Sequence, residues 1–168
     1  MMGKDHGNGK TVYLRDGRAP IPNSEITSRV MSANKGKDTK PEMILRRSLR
    51  EAGLPGYRLH WKGAPGRPDI AYPGHRVAIF VHGDFWHRCP VCNLPLPKTH
   101  TEFWEQKLER NVQRDARKVA ELEAAGWKVF VCWEHEIRED PSICAERIRT
   151  YIESKKLTKL AGHSRSKQ

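Results

Sequence analysis

Between residues 40 and 52 apolar positions recur at helical spacing, with Ile44, Leu45, Leu49 and Ala52 on one face. Thr39-Lys40-Pro41-Glu42 forms a capping-box pattern with proline inside the first turn, and Gly53 stops the run, so a first helix is predicted there. The period then changes. Tyr57 to Trp61 and Asp69 to Tyr72 read as short strands, and Arg76 to His82 is almost continuously apolar, the pattern of a strand buried on both faces. Pro73-Gly74 predicts a hairpin joining the last two. A loop rich in proline and cysteine covers 83–100, after which Thr101 offers an N-cap for a long helix ending near Ala125-Gly126. Trp127 to Trp133 is a further buried strand. The preceding helix is long enough for a right-handed crossover, which places this strand parallel to 76–82. Asp140-Pro141 opens a last helix through about residue 153. The sum is an α/β domain with a mixed central sheet flanked by helices, without internal repeats.

The 168 residues suit one domain, over 24–153. Residues 1–23 lack apolar periodicity and read as a flexible extension, and 154–168 read as a basic tail without an acidic residue. Lys and Arg number 31 against 20 Asp and Glu, a formal charge of +11 that points to a polyanionic partner, nucleic acid before an anionic membrane surface. The longest apolar run, Val77 to Val81, is far below the roughly 20 residues that span a bilayer, and no secretory h-region is visible. A soluble, intracellular protein without a membrane partner is expected.

Several polar residues sit where chemistry is plausible. At 100° per residue, Leu108, Val112, Val119 and Leu122 fall within about 40° of one direction, and Asp115 lies inside that stripe. A carboxylate facing a core needs a cationic or hydrogen-bonding partner, in a buried ion pair or in an active site. Asp69 follows Pro65-Gly66-Arg67-Pro68 and is either an ordinary turn aspartate or a carboxylate held at a sheet edge; the strand after it ends in His82, with His87 beyond. A carboxylate and two imidazoles at one end of a sheet can hold a hard cation and activate water. Cys89-Pro-Val-Cys92 has a spacing that lets both thiolates reach one tetrahedral Zn²⁺, yet it is half a site or else two free thiols. His135, just past the last strand, with Asp84 or His87, could complete it, whereas Cys132 lies inside the apolar run. Phe85, Trp86 and Trp104 either form a satellite core or stack on bases.

Pro65-Gly-Arg-Pro-Asp69, Val77-Ala-Ile-Phe-Val-His-Gly-Asp-Phe-Trp-His87, Pro97-Lys-Thr with Thr101-Glu-Phe-Trp104, Asn111-Val-Gln-Arg-Asp115, Gly126-Trp127 and Trp133-Glu134 together resemble the very-short-patch-repair (Vsr) DNA mismatch endonucleases, from about Ser28 to Glu139. The resemblance implies a restriction-endonuclease-like fold with a zinc-stabilised loop. It also implies nicking of one strand 5′ to the T of a T·G mismatch, with catalytic Mg²⁺ and structural Zn²⁺.

By the same resemblance, Asp69 and the Val81 carbonyl hold Mg²⁺, His87 is the general base oriented by Asp115, and His82 is the second catalytic histidine. Glu42 takes the place of the family's first-helix glutamate, compatible with its capping role. The Glu-x-Lys of the usual restriction motif is absent at Phe80 to His82, in keeping with histidine chemistry. Phe85, Trp86 and Trp104 become a wedge at the mismatch, with Lys98, Lys107, Arg110 and Arg114 on phosphates. The zinc set departs most from the family: Asp84 and His135 stand where cysteines are usual, and Cys89 and Cys92 have a shifted spacing. Cys132 and Cys144 remain as core thiols. The implied partner is double-stranded DNA with a T·G mismatch, bound by a monomer in the bacterial cytoplasm at the nucleoid, with mismatch-repair proteins as candidate partners. Rival readings are a restriction-type endonuclease that cuts both strands and a non-catalytic DNA-binding module.

Overall fold

The computed structural model describes Leu14–Arg15, Ala19–Pro20 and residues 36–165, with side chains over 36–157. The expected domain start at residue 24 lies outside the described residues. Leu14–Arg15 (β1) and Ala19–Pro20 (β2) pair antiparallel. Helix α1, Lys40–Glu51, begins as its capping box predicts: Glu42 N–H donates to Thr39 Oγ1 at 3.4 Å, and Thr39 N–H returns a bond to Glu42 Oε1. It ends at Gly53, whose φ of +75° lets Leu54 N–H reach back to Leu49 O at 2.9 Å.

Strands β3 (Arg58–Leu59), β4 (Ile70–Tyr72), β5 (Val77–His82) and β6 (Lys128–Trp133) form one mixed sheet in that order. A 3₁₀ turn over Pro73–His75 closes the antiparallel β4–β5 hairpin, with Ile70 opposite Ile79 and Tyr72 opposite Val77. β6 is parallel to β5, from Val77 beside Lys128 to His82 beside Trp133, as the crossover requires. Strand alternation then sorts β5. Val77 and Ile79 join Leu45, Leu49, Ile148 and Ile152 in the larger core, whereas Ala78 and Phe80 pack with Leu122 on the opposite face. His82 shares the parity of Ala78 and Phe80, so the strand aims it at the long helix.

That crossover helix, α2, spans Thr101–Ala124 and buries Leu108, Asp115 and Leu122, while Val112 and Val119 stay half-buried. Thr101 is its first helical residue instead of its cap. His100 occupies the cap position at φ +56°, and the Thr101 hydroxyl donates to Pro97 O at 3.0 Å, closing the loop before the helix. A short helix absent from the predicted elements, α3 (Glu134–Glu139), follows β6 directly, with Glu136 Oε2 accepting from Trp133 N–H at 2.9 Å. Helix α4, Pro141–Arg165, is capped by Asp140, whose Oδ1 accepts from Ser142 N–H at 2.9 Å. Cys144, Ile148 and Ile152 form its buried face. It continues past 153 because lysine and leucine are good helix formers and no proline interrupts them. Cys132 and Cys144 are fully buried, as expected of core thiols. No described helix is long and apolar enough to cross a membrane.

Candidate active site

The C-terminal end of β5 delivers His82 to the α2 side of the sheet, where it is 7% exposed. The chain then turns at Gly83, whose carbonyl accepts from His87 N–H at 3.1 Å, and the turn folds His87 back over His82. Their rings stack with centroids 4.0 Å apart and planes 6° from parallel. His87 Nδ1 lies 2.5 Å from Asp115 Oδ2, while Asp115 Oδ1 faces Arg114 Nε at 3.5 Å and Lys118 Nζ at 3.8 Å. The buried carboxylate of α2 therefore has both an imidazole and cationic partners.

Protonation follows from these contacts. Burial, then the neighbouring charge of His87, pushes the His82 imidazole down to about 3, so it is neutral at physiological pH. Burial acts to raise Asp115, but the hydrogen bond and charge of His87, helped by His82 and Arg114, hold it below the ordinary carboxylate value. In its neutral form, His87 donates Nδ1–H to the Asp115 carboxylate and keeps the Nε2 lone pair free.

Asp69 precedes β4 by one residue, and its Oδ2 accepts from Val81 N–H at 2.9 Å, tying the two antiparallel strands together. Burial, reinforced by the nearby charge of Glu42, raises Asp69 above the ordinary value despite that bond. Glu42 is buried and receives Arg46 Nη2 at 2.8 Å. His60, absent from the sequence-based candidates, stands between these carboxylates, its Nε2 3.9 Å from Glu42 and its Nδ1 3.9 Å from Asp69. Glu42, Asp69, Val81, His82, His87 and Asp115 all line one cleft of about 1010 Å³.

Among the described residues, ligand atoms converge within 4.8 Å in three groups: Asp84-Cys89-Cys92-His135, His82-His87-Asp115 and Asp38-Glu42-His60. The first contains all four predicted zinc residues. His135 Nδ1 lies 2.8 Å from Asp84 Oδ1 and 3.7 Å from Cys89 Sγ. The latter matches the roughly 3.3–3.8 Å between ligands of a tetrahedral Zn²⁺ with 2.0–2.3 Å bonds, whereas the 2.8 Å contact is a direct hydrogen bond shorter than that spacing, which a bound ion would open. Burial, then Cys89 and Asp84, pushes the Cys92 thiol up to about 11, and the hydrogen bond with Asp84 raises His135. The set fits zinc. Asp69 belongs to none of the three groups; Glu42 is the carboxylate whose charge acts on it within the same cleft.

Phe85, Trp86 and Trp104 come together, with ring centroids 5.2 to 5.9 Å apart, and all three are half-buried. Trp86 also lines the cleft. Lys107 lies over Trp86 at 5.5 Å and Trp104 at 5.1 Å. Of the predicted basic residues, Lys107 and Arg114 line the cleft, whereas Lys98 and Arg110 are exposed outside it. Lys40, Arg67, Lys118 and Arg138 line it as well and escaped the sequence reading. The adjacency of Arg67 to Asp69 was the available signal for one of them; the others emerge only from tertiary packing.

Comparison with known proteins bears on this geometry. The family model described as DNA mismatch endonuclease Vsr matches residues 21–93. The chain is 40% identical over 124 residues to the type II nicking enzyme V.XorIIP of Xanthomonas oryzae pv. oryzae, covering 74% of this chain and 90% of that protein. It is 34% identical over 135 residues to the DNA mismatch endonuclease Vsr of Escherichia coli K12, covering 80% and 86%. Similarity to the type II nicking enzyme V.NmeAIP of Neisseria meningitidis is 37% over 123 residues, covering 73% and 86%.

Proposed function

The chain belongs to the Vsr family of DNA mismatch endonucleases, and on that premise we propose that it nicks one strand of duplex DNA 5′ to the T of a T·G mismatch. As a DNA endonuclease it hydrolyses a phosphodiester. The single observation that carries the mechanism is the stacked His82–His87 pair with Asp115 bonded to His87, opening on the cleft that holds Asp69. His87, held through Nδ1 by Asp115, takes a proton on Nε2 from the attacking water. The water oxygen bonds to phosphorus as the P–O3′ bond breaks. Neutral His82, stacked on His87, offers an N–H to the phosphate.

Asp69 and the Val81 carbonyl are the groups we assign to Mg²⁺, a Lewis acid for phosphate oxygen, and Glu42 is assigned to hold water around it. Asp84, Cys89, Cys92 and His135 are assigned to structural Zn²⁺, which would fix the loop between β5 and α2 and with it His87. Phe85, Trp86 and Trp104 form the wedge, and Lys98, Lys107, Arg110 and Arg114 are assigned to phosphates. The α/β architecture, with its four-stranded mixed sheet, is read as restriction-endonuclease-like. A single centre per chain suits a monomer cutting one strand, in the bacterial cytoplasm, with mismatch-repair proteins as candidate partners.

Asp69→Ala and His87→Ala test this assignment. Both should bind mismatched duplex like wild type and lose nicking by about 10²–10⁴-fold, His87→Ala without loss of zinc. Retention of full activity in Asp69→Ala would remove the assigned metal ligand.

A further inference from the structure

Lys118 lies one turn after Asp115 on α2, so its side chain emerges beside the buried carboxylate. Its stem is held by a close backbone contact. Gly66 adopts φ +68°, and a Cβ added there would fall 2.9 Å from Lys118 Cβ and 3.0 Å from its Cγ. The loop leading into Asp69 therefore packs its backbone on the Lys118 stem, an approach that only glycine permits. At the other end, Nζ lies 3.8 Å from Asp115 Oδ1 and 5.8 Å from the centre of the Phe80 ring, with the side chain 31% exposed along the cleft. A separation of 3.8 Å is longer than the roughly 2.7–2.9 Å of a charged hydrogen bond, so the ammonium is near the carboxylate without being committed to it. Loop and helix thus fix an otherwise flexible side chain with its donors available to the cleft.

Charge balance gives this ammonium a task. Glu42, Asp69 and Asp115, with Asp38 and Glu134, bring five carboxylates to one cleft; of the cations there, Arg114 and Lys118 approach Asp115, and a scissile phosphate would add further negative charge. His87 must be neutral to accept a proton and so contributes no cation before the step. Arg114 also approaches Asp115, but its side chain is 44% exposed and better suits a flanking phosphate.

We propose that Lys118 is a further catalytic residue, its ammonium hydrogen-bonding a non-bridging oxygen of the scissile phosphate and stabilising the charge that builds there in the transition state. This role rests on the phosphodiester hydrolysis proposed above. In that step the water oxygen bonds to phosphorus, the P–O3′ electron pair leaves on O3′, and the water proton passes to His87. Lys118 transfers no proton and forms no covalent bond; it acts as a preorganised donor.

The test compares full-length wild type, Lys118→Met and Lys118→Arg in single-turnover nicking of whichever duplex wild type cuts fastest, with DNA affinity measured in chelator. Lys118→Met should nick about 10²–10³-fold slower with affinity within about fivefold of wild type, and Lys118→Arg should recover most of the rate. Nicking by Lys118→Met within about threefold of wild type, or slowing matched by an equal loss of affinity, would overturn the proposal. If circular dichroism finds Lys118→Met unfolded, Lys118→Gln, which keeps the first methylenes against Gly66, is read by the same criteria. A wild type that cuts no duplex overturns the nicking function and this role together. An active wild type with an unaffected variant overturns the lysine role alone.

Discussion

Asp115 gives one oxygen to His87 and turns the other toward Arg114 and Lys118. Asp115→Asn keeps the shape, but its amide can present N–H to His87 Nδ1 and move the imidazole proton to Nε2, where the lone pair is needed. Nicking should fall about 10²–10⁴-fold in single-turnover assays while DNA binding holds; unchanged nicking would remove Asp115 from the mechanism. The same carboxylate shapes acid stability. Its folded value lies below the ordinary 3.8, so the unfolded chain takes up this proton first as pH falls. The stability it contributes is fully present above the unfolded value and is lost as pH drops through the lower folded one. Urea denaturation of Asp115→Asn should accordingly show a flatter acid limb below about pH 4, and an identical limb in both proteins would contradict this. Asp115 was legible in the sequence as a polar residue in an apolar helical stripe. Its partner His87 was legible as a second histidine just beyond the strand that ends in His82, whereas His60 was not, because only tertiary packing brings it beside Glu42 and Asp69.

At the scale of elements, the loop over 83–100 joins β5 to α2 and carries Phe85, Trp86 and His87 within a few residues of the Asp84-Cys89-Cys92-His135 group. Zinc there would anchor wedge and base together. Metal analysis should find about one zinc per chain in wild type and less in Cys89→Ser, which should also melt at lower temperature. A zinc-free wild type that melts as the zinc-loaded protein does would refute a structural role. The Gly66 turn gives a second test: alanine at φ +68° is strained and meets the Lys118 stem, so Gly66→Ala should lose about 1–3 kcal/mol in urea titrations, and a neutral effect would contradict the packing. Helix α1, the hairpin and the parallel β6 could be read in advance because a capping box, a Pro-Gly turn and continuous apolar runs are local signals. Helix α3 could not, since its six residues are too short to establish a period and Trp133 is no usual cap. Thr101 misled for a related reason: its hydroxyl closes the preceding loop, a choice set by the left-handed His100.

For the whole molecule, the six basic side chains Lys40, Arg67, Lys107, Arg114, Lys118 and Arg138 line the cleft beside five carboxylates, so most of the +11 excess lies outside it. If Lys98, Lys107, Arg110, Arg114 and Lys118 each meet one phosphate, the logarithm of duplex affinity should fall against the logarithm of salt with a slope of about −4.5, and a slope near zero would contradict these phosphate contacts. Charge alone does not distinguish a nicking enzyme from a binding module or from an enzyme that cuts both strands. The proposal of a nicking enzyme rests on membership of the Vsr family, together with the cleft that holds His82, His87 and Asp115 and the aromatic cluster beside it. The most direct measurement is strand-specific cleavage of end-labelled duplexes carrying T·G, other mismatches or matched pairs, with Mg²⁺ and with chelator. A cut confined to the T-bearing strand, 5′ to that T, abolished by chelator and much weaker on matched duplex, is the predicted result; equal cutting of both strands of matched duplex, or no cutting under any metal condition, would contradict it.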